Sequence, residues 1–151
     1  DSYIDYGEVV ENHARINIAY AEENPKNFKG YATDKAWGLT ASYSITGYDA
    51  HHPDNDKSVI SPTAALSSTP YTPKESLFNH LGDKVWGKYG FYDAYSETEN
   101  WYPQRYLAID QGPIVVMIEN YRSGLIWNLF MQAPEIQDGL KKLGFQSPNL
   151  K

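Results

Sequence analysis

The stretch DAYSETENWYPQRYLAIDQGPIVVMIENYR, from Asp93 to Arg122, decides how the rest of the chain is read. Its first part, Asp93 to Gln111, is acidic, aromatic and without helical period. Its second part opens with Gly112 and Pro113, runs through the apolar residues Ile114 to Ile118, and closes on Glu119, Asn120 and Tyr121. A run apolar on every side predicts an element buried all round, a core helix or an interior strand. Pro113 fits a first helical position, where a missing N–H costs nothing. Asp110 then lies just ahead of the helix, facing the positive end of its dipole and its unpaired N–H groups. The expectation is a buried helix with an acid at its mouth, beside a loop full of rings.

Outward from there, Ser123-Gly124 breaks or kinks the helix. Leu125 to Met131 reads as a further apolar helix. Pro134 to Lys142 reads as an amphipathic one, with Ile136, Leu140 and Leu143 inward and Gly144 as its stop. On the other side, Thr72-Pro73 predicts a helix to about Leu81 with Gly82 ending it, and Ser61-Pro62 a short one to Ser68. Gly87, Gly90 and the rings between them give loop or short strand. Tyr48 to Lys57 is a polar loop, and Phe28 to Gly47 a loop with short extended pieces. Glu8 to Glu23 has helical spacing at Val9, His13, Ile16 and Tyr20, widened by Val10, Ala14 and Ala21 and weakened by Asn17. Asn24-Pro25 ends that helix. Loops this long inside a compact domain are usually functional.

The chain has 151 residues, enough for one modest domain with a real core. Thirteen basic residues against 19 acidic ones give a net charge of −6, which argues against a nucleic-acid or anionic-membrane partner. No apolar run approaches the ~20 residues that span a bilayer. Cysteine is absent, so disulfides and thiolate metal sites are out and the redox compartment stays open. Thirteen Tyr and four Trp supply apolar area with a polar handle, suited to cores and flat ligand surfaces alike. The sequence starts at Asp1 without Met or signal peptide, as a mature product or a piece of something longer does.

Several strings carry a resemblance. WGLTAS (Trp37 to Ser42), GYDA (Gly47 to Ala50), ISPTAALSS (Ile60 to Ser68), PYTPKES (Pro70 to Ser76), YGFYDAYS (Tyr89 to Ser96), NWY (Asn100 to Tyr102) and IDQGPIVVMIENYRSGLIWNLFM (Ile109 to Met131) are similar to the C-terminal half of the glucoamylase-like family. That family includes bacterial endo-β-1,2-glucanases and a domain of cyclic β-1,2-glucan synthases. The resemblance implies an all-α fold, an (α/α)6 toroid with its substrate cleft at one end of the barrel. It implies glycoside hydrolysis of a β-linked glucan, with inversion of configuration expected ahead of retention, no cofactor, and a periplasmic or secreted location. Twelve helices of ~11–12 residues exceed this chain. It therefore supplies the C-terminal part of one catalytic domain, and the N-terminal half of the same protein is its expected partner beside the saccharide.

Glycoside hydrolysis usually takes two carboxyl groups. Asp110 is the first candidate; its bland alternative is a helix cap or a buried Asp bonded to Arg105. Asp93 is the second, since Phe91, Tyr92 and Tyr95 would desolvate it and raise its pKa; its alternative is a turn aspartate bonding its own backbone. Glu119 lies nine residues past Asp110, and so ~13 Å down a helix, where a structural pair with Arg122 is the better reading. Asp49, His51, His52, Asp54 and Asp56 lack the spacing of a calcium loop or a helical zinc pair, and read as a solvated loop with no metal. Within the family reading, Tyr48 and Asp49 touch sugar. Trp37, Trp101, Tyr102 and Tyr106 sit in loops, where flat rings stack on glucose faces or else roof a satellite core. Trp86 and Trp127 read as core. The competing function is a non-catalytic carbohydrate-binding or structural helical domain on the same scaffold.

Overall fold

Asp5 sets the first helix: its carboxylate accepts the N–H groups of Gly7 at 2.8 Å and Glu8 at 3.2 Å and so caps helix α1, Tyr6–Glu23. The computed structural model describes residues 4–34, 36–75 and 82–151. Helix α1 stops where expected, at Asn24, which turns left-handed (φ 44°) and clamps the Phe28 backbone with both ends of its amide at 2.8 Å. Only part of the expected stripe faces inward, with Tyr20 packed against the core. Ala14 and Ala21 are buried, while Val9, Val10 and Ile16 are exposed. Asn17 explains the rotation. It exchanges two hydrogen bonds with the Leu39 backbone, at 3.0 and 3.3 Å, and the small alanines beside it let that loop approach.

The extended pieces pair into a hairpin. Strands β1 (Ala41–Ser44) and β2 (Gly47–Ala50) are antiparallel, with Tyr43 opposite Tyr48 and Ser42 opposite Asp49. Before them comes a single helical turn, α2 (Tyr31–Asp34). After them the polar loop folds inward. Asp56 is buried and accepts the hydroxyls of Tyr20 and Tyr31 and the Ser58 N–H, each at 2.9 Å. His51 is buried too. A solvated loop does not describe this segment, because Asp49, Asn55 and Asp56 spend their polar groups on the protein, while His52 and Asp54 stay exposed.

Helix α3 (Pro62–Leu66) begins after Ser61 as expected and ends two residues early. The expected helix from Pro73 begins as a turn over 73–75, and its remainder, 76–81, lies outside the described residues. A second hairpin follows, β3 (Trp86–Gly87) on β4 (Gly90–Phe91). The core joins these loop segments to α1: Tyr31, Ala36, Trp37, Ile60, Ala65, Val85 and Tyr95 pack with Ala14 and Ala21. Ile60 and Tyr95 exchange two backbone hydrogen bonds at 2.9 Å, which ties the segment before α3 to the one after β4.

Three helices close the chain: α4 (Ala108–Ser123), α5 (Leu125–Gln132) and α6 (Pro134–Lys142), with Gly124 and Gly144 in left-handed turns. Pro113 is the sixth residue of α4 rather than the first. It removes one hydrogen bond near the helix start, where Gly112 leaves the backbone room to adjust. Nor is α4 buried all round: of its side chains only Asp110 and Asn120 are buried, and Val115 is 70% exposed. Trp86 (53% exposed) and Trp127 are not core residues, and Leu143 faces out. Trp86 packs edge-on against Phe91, and Trp127 leans on Tyr71. Among the described residues no helix is long and apolar enough to cross a membrane.

Candidate active site

Asp110 occupies the first turn of α4, with its N–H bonded to the Leu107 carbonyl at 3.1 Å. Its own carbonyl accepts the Thr63 hydroxyl at 2.6 Å, so α3 holds the start of α4 in place. Asp93 lies in the segment between β4 and α4 and is held from three sides. Its N–H donates to the Arg105 carbonyl at 2.8 Å, its carbonyl accepts the Ser61 hydroxyl at 2.6 Å, and its Oδ2 accepts the Tyr43 N–H at 3.1 Å. Ser61 therefore spends on Asp93 the hydroxyl that the sequence offers as a cap for α3.

Both carboxyls are buried. Neither Asp93 Oδ1 nor Asp110 Oδ2 meets a protein N–H or hydroxyl. Burial first, then the hydrogen bond and like charge of Asp93, push the Asp110 carboxyl up to about 7. Asp110 thus gains and sheds its proton near neutral pH.

Asp110 is nonetheless reachable. It lines a cleft of about 280 Å³ with Thr40, Ala41, Tyr48, Thr63 and Ile109. Tyr48 is half exposed at its wall and meets Tyr43 edge-on, with centroids 5.3 Å apart. A buried acid of raised pKa opening on a cleft is the arrangement proton-transfer chemistry requires.

The other sequence candidates divide. Asp49 pairs with Ser42 on the opposite face of the hairpin, where Lys57 at 2.7 Å and Asn55 at 3.1 Å occupy its Oδ2 and hold it well below the usual carboxylate range. Trp37 is 3% exposed, with its indole N–H on the Glu75 carbonyl at 2.8 Å. It is a core ring and offers no stacking face, because the loop around it wraps inward. Trp101 and Tyr102 are half-buried, and Tyr102 lies parallel to Tyr95 with Lys84 over its ring. Tyr106 belongs to a second ring cluster with Tyr89 and Tyr92. Gly87 leaves room there for the phenol oxygens of Tyr92 and Tyr106, which a Cβ would push aside. Glu119 pairs at the surface with Arg122 at 3.4 Å, as expected. Among the described residues no group of His and acidic side chains could hold a metal.

Sequence reasoning missed two contributors. Arg105 is not on Asp110; its Cζ lies 4.0 Å above the Tyr43 ring. Tyr43 supplies the N–H that fixes Asp93. The alternation in Ala41–Ser44 shows a strand, but its backbone partner fifty residues on leaves no local trace.

Comparison with known proteins bears on this site. Residues 1–134 match the family model described as "Putative glucoamylase". The chain belongs to the glucoamylase-like family. An exo β-1,2-glucooligosaccharide sophorohydrolase (non-reducing end) of Parabacteroides distasonis is 42% identical over 95% of this chain. The endo-β-1,2-glucanase of Chitinophaga pinensis, solved with sophorotriose and glucose, is 63% identical over 99% of the chain with a TM-score of 0.93. The β-1,2-glucanase structure from Parabacteroides distasonis is 42% identical over 95%, with a TM-score of 0.88. The chain spans 21% of the sophorohydrolase, 38% of the Chitinophaga structure and 22% of the Parabacteroides structure. Within this glucoamylase-like family member, the described elements are therefore part of a larger unit in each relative.

Proposed function

We propose that this chain is the C-terminal part of a single (α/α)6 catalytic domain that hydrolyses β-1,2-linked glucan, and that the Asp93–Asp110 pair performs proton transfer through Asp110. One observation carries the reading: two carboxyls lie buried together, and that of Asp110, pushed up to about 7, opens on a cleft. The similarity to proteins named for β-1,2-glucan and its oligosaccharides supplies the substrate class. A periplasmic or secreted location belongs to the same reading.

Glycosidases hold their two working carboxyl groups apart, about 5–5.5 Å when retaining and about 6.5–9.5 Å when inverting. In this reading the working partner of Asp110 comes from the N-terminal half, across the cleft, with room for the water that inversion uses. In that division Asp110 moves the proton, and Asp93 tunes and positions it. Tyr48 offers a sugar contact on the cleft wall. Trp101, Tyr102 and Tyr106 lie along the same loops and extend the surface for the glucan.

The test is Asp110→Asn in the full-length protein, scored by product release from β-1,2-glucan beside a panel of α- and β-glucans. Turnover should fall by about 10³-fold or more while glucan still binds. Unchanged hydrolysis removes Asp110 from the chemistry. A parent protein that binds glucan and cleaves none in the panel establishes the non-catalytic binding module instead.

A further inference from the structure

Arg105 carries its guanidinium in the segment between β4 and α4. The chain is rich in carboxylates, yet among the described residues none pairs with this guanidinium. It is exposed, and its Cζ lies over the Tyr43 ring, 4.0 Å from the ring centre. An Arg stacked on a ring is restrained in orientation while its N–H edges stay free to donate.

Its position is fixed to the acid pair by a closed circuit. The Arg105 carbonyl accepts the Asp93 N–H at 2.8 Å. The Asp93 Oδ2 accepts the Tyr43 N–H at 3.1 Å. The Tyr43 ring then carries the Arg105 side chain. Tyr43 also touches Tyr48, which walls the cleft that Asp110 lines. From the cleft outward the order is Asp110, Tyr48, Tyr43, Arg105, a strip of ring edges ending in five N–H donors.

We infer that Arg105, shelved on Tyr43, is a substrate-positioning residue that donates hydrogen bonds to hydroxyl oxygens of a glucosyl unit next to the one being cleaved. Sugar hydroxyls accept such bonds, and a guanidinium serves two neighbouring oxygens from a fixed planar fork, a geometry that the rotating donors of an ammonium do not hold. The inference rests on the function proposed above. Because the contact lies beyond the reacting unit, it binds ground state and transition state alike.

The experiment uses the full-length protein with sophorooligosaccharides as probe. Arg105→Ala should raise KM about 10- to 100-fold with kcat changed less than about threefold, since hydrogen bonds from a charged donor carry effects of that size. Arg105→Lys keeps the charge and loses the flat stack, so its KM should be intermediate; it also stands in should the alanine variant fail to fold. In the Asp110→Asn background, calorimetry should show the same loss of affinity without any turnover. The melting temperature and the pH limb assigned to Asp110 should not move. Unchanged KM and affinity in both Arg105 variants overturn the assignment and leave the hydrolase reading intact. A fall in kcat with a displaced pH limb and constant affinity also overturns it, because Arg105 would then act through Asp93. A parent protein that neither cleaves nor binds the probe overturns both readings together.

Discussion

Residues 36–107 and residues 108–151 bury their apolar surface on opposite terms. The first region is mostly loop and two small hairpins, yet it holds Trp37, Ile60, Ala65, Val85 and Tyr95 inside. The second is nearly all helix, and not one apolar side chain in α4, α5 or α6 is buried; only Asp110 and Asn120 are. The reason is backbone hydrogen bonding. A helix satisfies its own N–H and C=O groups and stands with a bare face, whereas loop backbone needs partners from elsewhere in the chain. Those partners pull the loops together and the rings in with them. The helices meanwhile expose Leu125, Leu129 and Phe130, a surface of the kind that other parts of a larger protein cover.

The contrast can be broken most sharply at α5. Replacing Leu129 and Phe130 together by Ser should keep more of the 151-residue chain soluble and monomeric, as sedimentation reads. The same pair in the full-length protein should cost about 4 kcal/mol or more in denaturant unfolding, because there the side chains leave a core. Equal effects in the two settings would mean that nothing covers this face.

Gly38→Ala comes next and probes the loop region. A Cβ at Gly38 would meet the Ser61 carbonyl oxygen at 2.4 Å, on backbone at φ +152°. The expected loss is about 3 kcal/mol in chemical unfolding. A neutral result would show the loops to be looser than their packing implies.

A smaller effect lies at the boundary between the regions, where Asp93 meets Asp110. The pH profile of kcat/KM in the full-length protein should carry a limb near 7, matching the raised Asp110 carboxyl. Asp93→Asn removes the like charge and should move that limb down by about one unit, roughly 1.4 kcal/mol. Activity lost above the limb makes Asp110 the acid, and activity lost below it makes Asp110 the base. A limb that stays put separates the two carboxyls. The linkage to stability has its own sign. A carboxyl raised on folding favours the fold when protonated, so this contribution is present below about 4 and lost as pH rises toward 7. Asp110→Asn should therefore melt slightly higher than the parent at pH 8.

Least of all should happen at Glu119→Gln. Its pairing with Arg122 is a surface contact at 3.4 Å, and its loss should change stability by less than about 0.5 kcal/mol. A larger cost would place Glu119 under cover in the full-length protein.

Much of this organisation was legible in the residues. Asn24, Ser61-Pro62, Gly124 and Gly144 punctuate the helices as their backbone preferences dictate. Asp110 and Asp93 were singled out by their surroundings, and the fold brings them together. The failures share one cause. Val9 and Ile16 follow a helical stripe, but periodicity cannot say which face has a neighbour, and the neighbour chose Ala14, Asn17 and Ala21. Trp86 and Trp127 read as core and stand about half exposed, while Trp37, readable as a stacking ring or a core ring, is buried, because burial here follows long-range backbone contacts. Asp49 reads as part of a solvated loop or a sugar contact, but the loop after β2 folds back and brings Asn55 and Lys57 onto it.

The buried Asp56 has a consequence that spectroscopy can see. Burial first, then its charge and hydrogen bonds, push the Tyr20 phenol up to about 12 and the Tyr31 phenol far above the usual range. A phenol raised on folding stabilises while it keeps its proton, so this joint holds undiminished up to about pH 10 and weakens only beyond it. In an ultraviolet titration these two rings should be among the last to turn into tyrosinate. The seam between α1 and the loops is thus deaf to the neutral range in which the cleft gains and sheds its proton.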